Sequence, residues 1–242
     1  MTAPPGLCFS GRVLAGAVEI LAPVELRVPA GQWTCLLGAS GVGKSTLLQC
    51  FAGLGDGLVL DGTAGATDGR ALAGRVAMMA QADLLMPWLS VRENVMLGAR
   101  LRGVRGDKGR AVELLRRVGL EALAERRPSA LSGGQRQRAA LARTLYEDRP
   151  VVLLDEPFSA LDVATRARMQ ELAAEVLRGR TVLHVTHDPA EAARLGERVF
   201  VLTDQGLSEV ATDEGQPMPR PPDDGETLAV TGRLTRLLLD AA

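Results

Sequence analysis

GASGVGKST, residues 38–46, decides the fold. It follows the apolar run WTCLL and precedes LLQCFAGL, whose apolar residues recur at helical spacing, so it joins a buried strand to a helix. The spacing G-x-x-x-x-G-K-[ST] in a strand–loop–helix context is that of a phosphate-binding loop. Gly41 and Gly43 let the backbone curl until successive N–H groups point inward, with Gly38, Ala39, Ser40, Val42 and Thr46 completing the cradle. The helix that follows adds its positive end. Lys44 is expected to reach the β- and γ-phosphates of a nucleoside triphosphate, and the Ser45 hydroxyl to take a position on Mg²⁺.

Working outward, short Val- and Leu-rich runs at 33–37, 76–79, 151–154, 181–186 and 199–202 alternate with longer segments of helical period. Strands that cross over through helices build a largely parallel sheet, so the fold class is α/β. Residues 17–28 alternate more weakly around Pro23 and suit antiparallel strands at an edge. From about 82 to 130 the pattern is helical throughout, which reads as an inserted helical subdomain. A polar, proline-rich segment, DEGQPMPRPPDDGE, then leads to a last amphipathic piece.

Composition narrows the classes of function. With 28 Lys and Arg against 29 Asp and Glu, the chain has no basic surplus for a phosphate backbone, and nucleic acid is not the expected partner. Cys8, Cys35 and Cys50 stand apart, without metal-site or disulfide spacing, and read as thiols in a reducing compartment. Nowhere do eighteen apolar residues follow one another, so a cytoplasmic chain that spans no membrane itself is expected.

The run PVVLLDEP, residues 150–157, supplies acids to the cradle. Asp155 ends a buried strand at the carboxyl end of the sheet, where ligands bind in open α/β folds, and can hold Mg²⁺ directly or through water. Glu156 can polarise a water for in-line attack on the γ-phosphate. Of two histidines, His187 lies just past the strand TVLHVT and is expected to bond the γ-phosphate, whereas His184 reads as a core residue. Gln81 closes the strand RVAMMAQ and can reach the metal or the attacking water.

One stretch, LSGGQRQR at 131–138, contains no catalyst. Taken in order with the phosphate loop, Gln81, VVLLDEP, SALD and His187, it makes residues 7–205 resemble the nucleotide-binding subunit of an ATP-binding cassette (ABC) transporter. The resemblance implies a P-loop NTPase core of RecA-like type: a mostly parallel sheet, an N-terminal antiparallel β edge and an inserted helical subdomain. Its core would be residues 1–81 and 132–210, the helical subdomain about 82–131 and the tail 211–242. ATP and Mg²⁺ are the implied ligands. A homodimer packed head to tail is also implied, with Ser132, Gly133, Gly134 and Gln135 of one chain covering the ATP of the other. A capped helix start offers N–H groups to an anion, and two glycines in a first turn cost stability without such a role. Asp162 of SALD would lie at the same interface and couple the two sites.

The segment QADLLMPWLSVRENV resembles the part of an importer cassette that docks on a membrane permease, with Leu85, Met86 and Trp88 as contacts. LMPW is similar to the nitrate, sulfonate, taurine and thiamine-precursor group, within which GQWTCLLGASGVGKSTLLQ and MAQADLLMPWLSV look most like cassettes of hydroxymethylpyrimidine importers. Such a cassette works on the cytoplasmic face of the inner membrane, and a periplasmic solute-binding protein is an indirect partner. The chain departs from the family at one place. The aromatic residue that usually stacks on adenine is absent from residues 11–32, and Phe9 is the only early candidate. The alternatives are a soluble cassette ATPase acting on nucleic acid or ribosomes, and a P-loop kinase for a small metabolite.

Overall fold

The computed structural model describes residues 3–212 and 216–240. Residues 213–215, within the proline-rich segment, and both termini, 1–2 and 241–242, lie outside the described residues. The chain divides into two compact units, one of Met1–Val76, Arg149–Asp155 and Arg178–Ala242, the other of Ala77–Asp148 and Glu156–Leu177. The second unit therefore takes in more of the chain than the inserted segment at 82–131.

The first unit contains the phosphate-loop strand β3 (Trp33–Gly38), flanked in parallel by β7 (Thr181–Thr186) and β8 (Arg198–Thr203). β6 (Val151–Asp155) lies parallel to β7, and β9 (Gly206–Val210) closes the other side antiparallel to β8. Beyond β6, the Val151 amide donates to the Arg75 carbonyl at 3.2 Å, where β5 (Val76–Met79) begins. Every residue of β3, β6 and β7 is buried, as unbroken apolar runs require in a sheet covered on both faces. Because these strands run in one direction, Gly38, Asp155 and Thr186 all emerge at the same carboxyl edge.

The antiparallel strands form a sheet of their own. β1 (Leu7–Ala15) is central, between β2 (Val18–Val28) and β4 (Leu58–Ala66). Phe9 on β1 is 2% exposed and packs edge-on against Phe51 of α1 (Lys44–Ala52), ring centres 6.2 Å apart. At the far end of the chain, α8 (Gly225–Asp240) packs on α7 (Pro189–Leu195).

On β7, His184 is wholly buried, edge-on to Trp33 at 5.9 Å, with Nδ1 3.7 Å from the Cys35 thiol. Desolvation pushes its pKa down to about 3, so it stays neutral in the folded chain. The unfolded chain takes up this proton near pH 6.5, so stability is expected to fall as pH drops below 6.5. The slope from this one group is about 1.4 kcal/mol per pH unit. Urea midpoints between pH 7 and 5 should fall less steeply for His184→Gln than for the parent, and parallel pH profiles would contradict a neutral His184.

The second unit is helical: α2 (Val91–Val95), α3 (Leu97–Leu101), α4 (Lys108–Arg117), α5 (Gly133–Tyr146) and α6 (Val163–Val176). α5 packs on α2, α4 and α6, and its Ala140, Leu141, Thr144 and Leu145 are buried. Among the described residues no helix is long and apolar enough to cross a membrane.

Candidate functional site

In the first unit the cradle is built where β3 ends. Gly43 sits at φ 98°, and a Cβ there would stand 2.7 Å from the Ile20 carbonyl oxygen, so both the turn and the close approach of β2 exclude any side chain. α1 opens without a side-chain cap and with no acid in its first turn, which leaves its opening amides and positive end for an anion. Lys44 is 6% exposed and donates from Nζ to the carbonyls of Gly38 and Ala39, at 2.9 and 2.7 Å. Ser45 donates from Oγ to Asp155 Oδ1 at 3.1 Å, and Asp155 is 4% exposed at the end of β6. Two hard oxygens so placed are the chemistry that Mg²⁺ selects. Among the described residues no cluster of three or more His, Cys, Asp or Glu could hold a metal. His187 is exposed, one residue beyond β7, and leaves the same edge as Gly38 from the neighbouring strand.

In the second unit Gln81 and Glu156 meet, Gln81 Nε2 lying 3.4 Å from Glu156 Oε2. Glu156 holds φ 48°, a left-handed conformation that costs a side-chain-bearing residue about 1–3 kcal/mol. What offsets it is Gln137, a residue the sequence reading did not single out. Its Nε2 donates to the Glu156 carbonyl at 3.1 Å and to Ser159 Oγ at 3.3 Å, while its Oε1 accepts from the Ala160 amide at 2.9 Å. The loop carrying Glu156 is thus wrapped around one buried amide of α5.

Ser132 and Gln135 form a reciprocal capping box: Ser132 Oγ accepts from the Gln135 amide at 3.3 Å and Gln135 Oε1 from the Ser132 amide at 2.8 Å. The box uses the amides of Ser132 and Gln135, leaving those of Gly133 and Gly134 at the front of the helix. Asp162 caps α6, and bonds from the Thr165 amide and hydroxyl hold its carboxyl below the usual range. In the LMPW piece Leu85 is buried, Met86 half-buried and Trp88 66% exposed, so Trp88 is not a core residue of this unit.

The family described as "ABC transporter" matches residues 21–159. Over 191 residues the chain is 47% identical to "Aliphatic sulfonates import ATP-binding protein SsuB 1" of Rhodococcus jostii, covering 78% of this chain and 75% of that protein. It is 43% identical over 219 residues to a sulfonate import ATP-binding protein of Pseudomonas putida, covering 89% and 78%. Neither carries the hydroxymethylpyrimidine name. A solved ATP-binding cassette, dimeric in a post-hydrolysis state with ADP and Pi bound, superposes with a TM-score of 0.72 at 29% identity, over 85% of this chain and 99% of that one. With its phosphate cradle, its acids and its capped LSGGQ helix in place and these relatives beside it, the chain belongs to the ABC transporter family.

Proposed function

We propose that this chain is the ATP-hydrolysing subunit of an importer for small solutes, with aliphatic sulfonates as the substrate class its relatives' names favour. The observation that carries the ATPase reading is the Ser45–Asp155 bond beside a buried Lys44, at the mouth of an uncapped helix. In this reading the ammonium of Lys44 would exchange the Gly38 and Ala39 carbonyls for β- and γ-phosphate oxygens, and Ser45, Asp155 and Gln81 would hold Mg²⁺, which would supply charge neutralisation on the phosphate oxygens. Glu156 takes the proton of the attacking water, and His187 donates to the γ-phosphate. Residues 38–46 carry the rest of the triphosphate.

Two copies work as a homodimer, the Gly133 and Gly134 amides of each facing the γ-phosphate held by the other, with Ser132 and Gln135 fixing that helix start and Asp162 beside it. Binding of the nucleotide to the closed dimer far more tightly than to the open one is what drives the transition. Leu85, Met86 and Trp88 dock on the membrane permease at the cytoplasmic face of the inner membrane, and a periplasmic solute-binding protein delivers the cargo to it.

The base should be read weakly. Phe9 is committed to Phe51, and residues 11–32 hold no aromatic side chain, so the stacking contribution of about 1–3 kcal/mol is missing. Phosphate release from MgATP and MgGTP, with no acceptor added, is expected to give kcat/KM values within about tenfold of each other. A hundredfold preference for ATP would require an aromatic platform elsewhere, and phosphate transfer only to an added acceptor would replace the ATPase reading by a kinase.

A further inference from the structure

The loop at 81–90 does more than present Trp88. Its first residue touches Glu156, and between that contact and the exposed indole the main chain is bolted to α5. Arg143 spends both arms of its guanidinium on carbonyls, Nη1 on Leu84 at 2.7 Å and Nη2 on Asp83 at 2.8 Å. Two turns earlier on the same helix, Arg136 donates from Nε to Asp83 Oδ2 at 2.9 Å and from Nη1 to the Leu131 carbonyl at 2.9 Å, next to the cap residue Ser132. Asp83 Oδ1 accepts from the Leu85 amide at 3.1 Å.

The other side of the loop is held by Asn94, which is fully buried: Oδ1 accepts from the Met86 amide at 2.7 Å, and Nδ2 donates to the carbonyls of Met86 and Ser90 at 3.1 and 3.0 Å. Leu84 stands at φ 46°, a conformation disfavoured for a branched side chain, so this loop shape persists only because its surroundings impose it. Burial lowers the Arg143 pKa, yet its planar fork keeps a desolvated cation matched to two carbonyls, a geometry Lys cannot copy. A cross-link of this density makes two segments, distant in sequence, move as one rigid piece.

We infer that Arg143 and the Arg136–Asp83 pair are positioning residues that lock the 81–90 loop to α5 at two places, the pair near its opening turn and Arg143 in its last turn. A partner bearing on Trp88 then moves the Gly133 and Gly134 amides and the Gln81 side chain in one step. The inference rests on the reading of Trp88 as a docking residue and of 132–135 as the partner-facing turn.

The test is hydrogen exchange on the full chain in the Glu156→Gln background, with and without MgATP. Protection of 131–137 and 83–90 is expected to rise together. Adding Arg143→Gln should leave 131–137 protected and speed exchange at 83–90 by about tenfold or more. Arg143→Lys should restore only part of the protection, and Asp83→Asn, which keeps an acceptor for Leu85 and removes the charge of the pair, should give a smaller loss. Unchanged exchange across β6 and β7 and unchanged affinity for a fluorescent ATP analogue separate this from general loosening. If 83–90 stays as protected in Arg143→Gln as without that change, or if Lys replaces Arg fully, the lock is refuted. Failure of MgATP to protect 131–137 at all would instead remove the dimer reading, and the inference with it.

Discussion

Glu156→Gln is expected to bind MgATP as tightly as the parent chain while hydrolysing it about 10²–10⁴-fold more slowly, a barrier raised by about 3–5 kcal/mol. The substitution is close to isosteric, and the bonds that impose the strained backbone at Glu156 go to its carbonyl, from Gln137 and Ser159, so the loop should keep its shape. Only the proton acceptor is lost. Lys44, Ser45 and Asp155, which carry the binding reading, belong to the first unit and are unaltered. Single-turnover rates beside equilibrium nucleotide binding make the measurement. Parent-like turnover would move the base to another group, and His187, exposed beyond β7, is the next to replace.

Ser132→Arg should be as damaging through a different route. Its own cradle is intact, so nucleotide binding to the single chain should be unchanged, but a long cation at the exposed helix start keeps the Gly133 and Gly134 amides off the γ-phosphate held by the second chain. Hydrolysis should fall about 10²-fold or more, the scale for losing donors preorganised on a developing charge. Loss of the cap costs a further ~1 kcal/mol of helix stability. Ser132→Ala, which loses the cap without adding bulk, measures that smaller part.

The two inactive variants offer a sharper experiment together. In a head-to-tail dimer of one Ser132→Arg chain and one Glu156→Gln chain, both lesions fall on one site and the other site is whole. Mixing them should recover up to about a quarter of the parental rate, since half the dimers are mixed and each has one intact site of two. Two inactive proteins that stay inactive on mixing, while still exchanging subunits, would rule out a shared site.

How much of this is written in the sequence differs from element to element. The parallel strands are legible because burial on both faces demands unbroken Val and Leu runs, and the cradle because its spacing carries its own mechanism. β1 and β4 are not legible. They are drawn together at Gly11 and Gly62, where a Cβ would come within 2.2 and 2.1 Å of the opposite strand's carbonyl oxygen, and a residue chosen for lack of a side chain leaves no hydrophobic pattern. Half-exposed positions along β4 dilute the alternation further. Among site residues, Gln81 and Glu156 can be named in advance, each standing at the end of an apolar run. Gln137, Arg143 and Asn94 cannot, since nearly all their partners are main-chain carbonyls and amides, which every residue offers. Arg220 is the same case in the tail: it is 3% exposed and donates to the Ala193 and Gly196 carbonyls at 2.8 Å, inside a segment that reads only as polar and proline-rich.

The placement of β3 also has a bearing on synthesis. Among the described residues its neighbours in the sheet are β7 and β8, which begin at Thr181 and Arg198, whereas β1, β2 and β4 all end by Ala66. A chain emerging from the ribosome can therefore close its antiparallel sheet before β7 has been made, yet it must keep the apolar WTCLL segment without its flanking strands until residues 181–203 have followed. A message cut between β4 and β7 yields a product that contains residues 38–46 but neither of the strands that flank β3.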